Sequence, residues 1–165
     1  MAPIPTGTLR ETETGYALEL SRTLAASRED VWASLTESSR TALWFGPWKR
    51  LTDDSIRVTM IFEDGEPVAD MAIGTCEPPQ RLAVRMSDEG GWPLELRLTE
   101  KGLDTLVVLT HGLDSTDGIG DIGPGWEYYL DMLIASRDAA PLPSFDDYYP
   151  AQQEYYSSLR PERRQ

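Results

Sequence analysis

Two residue types are nearly missing from this chain: among 165 residues there is one cysteine, Cys76, and one histidine, His111. A single thiol can neither close an internal disulfide nor build a zinc cluster, so cysteine usage gives no sign of secretion. Cys76 has no basic neighbour in sequence to lower its pKa and reads as a structural thiol. One histidine supports no Ser-His-Asp triad on spacing, and at a strand end it reads as structural or solvent-exposed. Positive charge is scarce too. Fifteen Lys and Arg face 28 Asp and Glu, a net charge of −13. The longest basic cluster is Arg160-Pro161-Glu162-Arg163-Arg164, at the terminus. A nucleic-acid binder neutralises phosphates with clustered cations, so no nucleic-acid partner is expected. No stretch approaches the ~20 apolar residues that cross a bilayer. The N-terminus has no basic start and apolar run, the marks of a signal peptide. The expected compartment is the cytoplasm, with no membrane association.

Metal and cofactor motifs are missing as well. The Asp-rich stretch Asp114–Asp121 lacks the full calcium-loop pattern and its terminal Glu. Gly118, Gly120, Gly123 and Gly125 do not follow a strand with phosphate-loop spacing, and no Lys accompanies them. No metal and no cofactor are expected.

What is present fits one globular domain: 40% hydrophobic residues, 26% charged, and a length within the ~100–200 residues usual for a domain. Residues 1–14 are polar and read as a flexible N-terminal arm. Gly15–Leu24 alternates as a first strand. Ser27 stands as an N-cap before a short helix with Val31, Trp32 and Leu35 on its apolar side. A second short helix is predicted from Ser38 to Phe45, stopped by Gly46-Pro47. From about 47 to 112 the period is two. Ile56, Val58, Met60 and Phe62 alternate with polar neighbours. Turns follow at Glu63-Asp64-Gly65-Glu66 and at Asp88-Glu89-Gly90-Gly91. Met71 and Ile73, then Leu82, Val84 and Met86, then Trp92, Leu94, Leu96 and Leu98 continue the pattern. Leu103–His111 is apolar on both faces and reads as central. Sequential strands joined by tight turns make an antiparallel meander with one apolar face to cover. The candidate cover is a helix starting near Gly123-Pro124-Gly125 and ending about Asp138. On it Ile122, Trp126, Tyr129, Leu130, Leu133 and Ile134 lie mostly on one broad face. Its carboxylates Glu127 and Asp131 read as a solvated polar face. Residues 141–165 form a Tyr-rich tail that should pack on the domain or on a second subunit, since its aromatics are costly to leave in water.

The order of elements and four short segments resemble the SRPBCC (START, polyketide cyclase, Bet v-like) superfamily. The closest branch is that of the activator of the heat-shock-protein-90 ATPase. The segments are Val31–Thr36, Trp44-Phe45-Gly46-Pro47, Pro79-Gln80-Arg81-Leu82 and Gly125–Leu133. They extend over about residues 16–138. The expected class is therefore α+β with a helix-grip fold. In it a curved antiparallel sheet of about six or seven strands wraps a long C-terminal helix, and two short helices follow the first strand. The expected domain spans 15–140.

The resemblance implies a ligand cavity between sheet and helix. The residues expected to face it are Trp44, Phe45 and Trp48 at the mouth. Met60, Met71, Ile73, Met86, Trp92 and Leu96 would come from the strands, and Trp126, Tyr129, Leu130 and Leu133 from the helix. Flexible methionines suit an adaptable pocket. The same stripes could also simply fill a core. The sequence favours a non-catalytic binder of a small hydrophobic or amphipathic molecule over a cyclase- or hydrolase-like enzyme using His111 or Tyr129. A chaperone cofactor, as the branch name suggests, ranks third. Homodimerisation through the tail is a further expectation.

Overall fold

The computed structural model describes residues 3–87 and 91–163, so the turn expected at 88–91 lies mostly outside the described residues. The strands are β1 (Thr8–Thr12), β2 (Gly15–Leu24), β3 (Trp48–Thr52), β4 (Ser55–Thr59), β5 (Val68–Glu77), β6 (Arg81–Met86), β7 (Pro93–Lys101) and β8 (Asp104–Leu113). The α-helices are α1 (Arg28–Thr36), α2 (Ser38–Thr41), α3 (Ile119–Arg137) and α4 (Gln153–Ser157). The eight strands form one sheet in the order β1-β2-β8-β7-β6-β5-β4-β3. This is the α+β helix-grip arrangement, with a large open sheet and a long C-terminal helix. Eight strands replace the six or seven expected. The first extra one is β1, which lies within the stretch read as an arm. Only Leu9 of β1 is buried, so the strand carries almost no apolar signal and is recruited by pairing with β2, Leu9 opposite Leu18.

Contacts gather the chain into two compact units, Arg22–Leu109, and the segments up to Ser21 and from Thr110 onward.

In the first of these, the meander β3–β7 pairs antiparallel throughout. Helix α1 begins as read: the Ser27 hydroxyl accepts from the Asp30 amide at 3.2 Å. Helix α2 ends at Thr41 rather than Phe45. There the Thr41 carbonyl accepts from the amides of Phe45 and Gly46, and its hydroxyl donates to the Gly46 carbonyl at 2.7 Å. Gly46 is required at this point, because a Cβ would lie 1.9 Å from the Thr59 carbonyl oxygen. The expected alternation through Phe62 stops at Thr59, where the Met60 amide closes the hairpin on the Pro67 carbonyl at 2.8 Å. Helix α1 packs at β7 and α2 at β3, so the helix pair bridges the two sides of this five-stranded part. The Trp48 indole fastens it by donating to the Thr36 carbonyl at 2.9 Å.

In the other unit, α3 starts at Ile119, a turn earlier than read, and carries Pro124 inside. The tail folds onto it. A Cβ at Gly120 would lie 2.3 Å from the Ser157 hydroxyl, and one at Gly123 2.2 Å from the Tyr156 ring. The two glycines therefore form a notch that seats α4. Tyr148 and Tyr156 are buried. Beyond α4, Glu162 pairs with the edge of β1, its amide donating to the Leu9 carbonyl and its carbonyl accepting from Glu11.

Candidate functional site

Register sorts the side chains of β3–β7 onto two faces. Opposed residues share a face, and alternate residues along a strand return to it. One face carries Lys49, Arg57 and Asp70, then Ala72 and Arg85, then Ala83 and Glu95, then Arg81 and Arg97. It is polar and laced with ion pairs such as Arg57–Asp70 at 2.7 Å and Arg81–Glu95 at 2.9 Å. Burial opposes charge on Glu95, but bonds from Arg97 and Arg81 outweigh it and hold that carboxyl below its ordinary range.

The opposite face is apolar. Across it run Trp48–Val58–Ala69, then Ile56–Met71–Met86, then Ile73–Val84–Leu94. Past the irregularity between Ile73 and Thr75, Leu82 and Leu96 extend it. Val58, Ala69, Met71, Leu94 and Leu98 are buried. Ile56, Ile73, Leu82, Val84, Met86 and Leu96 are only half-buried. Interiors pack to crystal-like density, so a filled core would leave these side chains as covered as their neighbours. A row of half-covered aliphatic groups therefore crosses four strands on this face.

Of the expected ligand-facing strand residues, Met71, Ile73, Met86 and Leu96 fall on this apolar face. Trp48 shares it from the β3 side. Trp44 is buried, its indole donating to the Ser34 carbonyl at 2.8 Å, so its polar atom serves the α1–α2 connection. Phe45 is half-buried with its ring 5.6 Å from that of Trp44. Met60 and Trp92 are half-buried and lie in connections, just after β4 and just before β7. Sequence reasoning left out Ile56, Leu82 and Val84 as ligand contacts. Their alternation was visible, but register alone shows that they join Met71 and Met86.

On α3, Tyr129, Leu130 and Leu133 are buried, while Trp126 is half-buried. The Trp126 indole donates to Nδ1 of His111 at 3.0 Å. An indole N–H is donor only, so this bond fixes Nδ1 as the acceptor and the ring as the neutral Nε2–H form. His111 is fully buried, and burial pushes its pKa down from 6.5 to about 4. The histidine is thus covered, and the solvent-exposed alternative read from sequence does not hold.

Glu127 corrects the reading of a solvated helix face. It is 1% exposed. Its carboxylate accepts from the Thr6 amide at 2.5 Å, the Thr6 hydroxyl at 2.8 Å and the Tyr156 hydroxyl at 2.6 Å. The Tyr156 hydroxyl also accepts from the Gly7 amide at 3.1 Å. Burial first, then Glu127, pushes the Tyr156 phenol above its ordinary range. Asp131 is half-buried and accepts from the Tyr148 hydroxyl at 2.7 Å. Both acids anchor chain ends that are distant in sequence, and helical period does not reveal such partners. Cys76 is exposed. Among the described residues no group of three His, Cys, Asp or Glu is placed to hold a metal ion, and no helix is long and apolar enough to cross a membrane.

No curated protein matches this chain. Solved structures do. CalU16 from Micromonospora echinospora is 26% identical with a TM-score of 0.75, covering 94% of this chain and 96% of its own. A Bordetella parapertussis protein encoded by gene BPP1335 is 22% identical with a TM-score of 0.72, covering 98% and 96%. The Aha1 dimer from Colwellia psychrerythraea is 16% identical with a TM-score of 0.61, covering 73% and 94%. These likenesses show the fold. The profile of one family matches residues 25–136, over half of the chain, and the chain belongs to that family, the activator of Hsp90 ATPase homolog 1-like proteins.

Proposed function

We propose that this protein binds a small hydrophobic or amphipathic molecule on the apolar face of β3–β7. The observation that carries the reading is the half-covered row Ile56, Ile73, Val84, Met86 and Leu96 beside buried neighbours. Ligand sites are mostly apolar with a few polar groups, and this face has that character. Met71 and Met86, opposed across β5 and β6, are unbranched and adaptable, which suits ligands of variable shape. Trp44, Phe45, Trp48, Met60 and Trp92 are proposed to border the site. Trp126, Tyr129, Leu130 and Leu133 stay candidate contacts on the sequence reading alone. The enzyme alternative draws no support from His111, whose acceptor nitrogen is engaged by Trp126; proton abstraction there would first have to break that bond. Action in the cytoplasm is part of the proposal. So is a homodimer, and a relative described as a dimer supports it.

The test is a titration of methyl-labelled methionine protein with dodecanol, followed by NMR. The expected result is saturable shifts of the Met71 and Met86 methyl signals. Methyl signals unmoved by dodecanol and by a panel of aromatic ligands, up to their solubility, would overturn the proposal.

A further inference from the structure

Arg50 lies on the apolar face. It stands directly opposite Ile56, which stands opposite Met71, which stands opposite Met86. Among the described residues of β3–β7, two charged side chains fall on this face: Glu100, at the far end of β7 and paired with Arg28 of α1 at 3.3 Å, and Arg50, its one cation. Lys49, Arg57, Asp70, Arg85, Glu95 and Arg97 all fall on the other. The guanidinium carbon sits 5.8 Å from the centroid of the Trp48 ring, on the same face two residues away, and Nη1 donates to the Asp53 carbonyl at 2.9 Å. A guanidinium carries five N–H donors in a rigid fork matched to carboxylate and phosphate groups. Here one bond and one aromatic ring orient that fork. Strands lie about 4.8 Å apart, so the row from Arg50 to Met86 spans about 14 Å. It has a cation at one end and thioether and aliphatic groups along the rest.

We infer that the molecule bound on this face is an anionic amphiphile, its acidic group paired with Arg50 and its apolar body lying along Ile56, Met71 and Met86. The inference rests on the binding reading above and adds the ligand's charge and direction. The protein's net charge of −13 opposes an anion at long range. That field is screened over about 8 Å at physiological ionic strength, whereas a fork-to-carboxylate pair acts in direct contact. An edge cation can also serve to discourage strand-to-strand aggregation. Lys49 on the other face already meets that need, and it would not require a cation on the apolar side.

The experiment compares dodecanoate, dodecanol and dodecylammonium by isothermal titration of the full chain at physiological salt, below their aggregation thresholds. Dodecanoate is expected to bind about tenfold more tightly than dodecanol, the gain typical of a charge-assisted hydrogen bond, with dodecylammonium weakest. In Arg50→Gln the advantage of dodecanoate over dodecanol should fall to near onefold. Arg50→Lys should retain part of it. Equal affinities of wild type for dodecanoate and dodecanol would overturn the inference and leave the binding reading intact. Preference surviving in Arg50→Gln would do the same. Absence of binding by all three would overturn the inference, and the methionine-methyl titration with the aromatic panel then decides the binding reading.

Discussion

His111 and Trp126 hold each other through one hydrogen bond in a buried setting, and the cost of protonating that histidine should be measurable. The folded pKa is lowered to about 4 from 6.5. Between those values the unfolded chain binds a proton that the folded chain refuses, so stability rises with pH across that window. The contribution is fully present above pH 6.5 and is lost as pH falls towards 4. A shift of this size corresponds to roughly 3 kcal/mol at most. Urea unfolding of wild type and His111→Gln at pH 7 and at pH 4.5 checks this: wild type should lose more stability on acidification than the variant. Equal losses would mean that the ring is not held neutral by its surroundings. The lone histidine was easy to find in the sequence, but its burial was not, because the partner that decides its state comes from a different element. Glu127 shows the same limit more sharply. Its position four residues before Asp131 suggests a solvated face, yet its donors are Thr6 and Tyr156.

Elements with a strong period were legible. The apolar alternation read for β4 to β7 matches their strands, except that β4 ends at Thr59 and β7 begins after Trp92. The N-cap of α1 was readable because Ser27 meets its amide partner within three residues. Elements defined by a distant surface were not. The four glycines before and within α3 carried no recognisable motif, and two of them prove to be the seat of α4. Alanine normally favours a helix interior over glycine by about 1 kcal/mol. At Gly123 a Cβ would meet the Tyr156 ring, whereas at Gly125 it would meet nothing within 4 Å. Gly123→Ala should therefore cost about 1–3 kcal/mol by overpacking, lowering Tm by several degrees. Gly125→Ala should leave Tm unchanged or raise it. Thermal melts of the two variants decide the matter, and a Gly123→Ala protein as stable as Gly125→Ala would refute the packing role.

At the scale of the whole molecule, fold and family were readable because four short segments kept their order along the chain, and the family profile spans residues 25–136. The site was legible in part. Period two marked Met71, Ile73, Met86 and Leu96, but alternation cannot tell which alternating residues of neighbouring strands stand opposite one another. Register supplies that, and it places Ile56, Val84 and Arg50 on the same face. Exposure supplies the rest, since the half-covered side chains on that face are what the proposed binding role rests on. The most direct measurement is native mass spectrometry of the protein isolated from its own host and after incubation with that host's lipid extract, with denaturing extraction to identify what is bound. A stoichiometric apolar or amphipathic molecule released on denaturation is the result expected. A spectrum showing only the bare chain under both conditions would contradict the account.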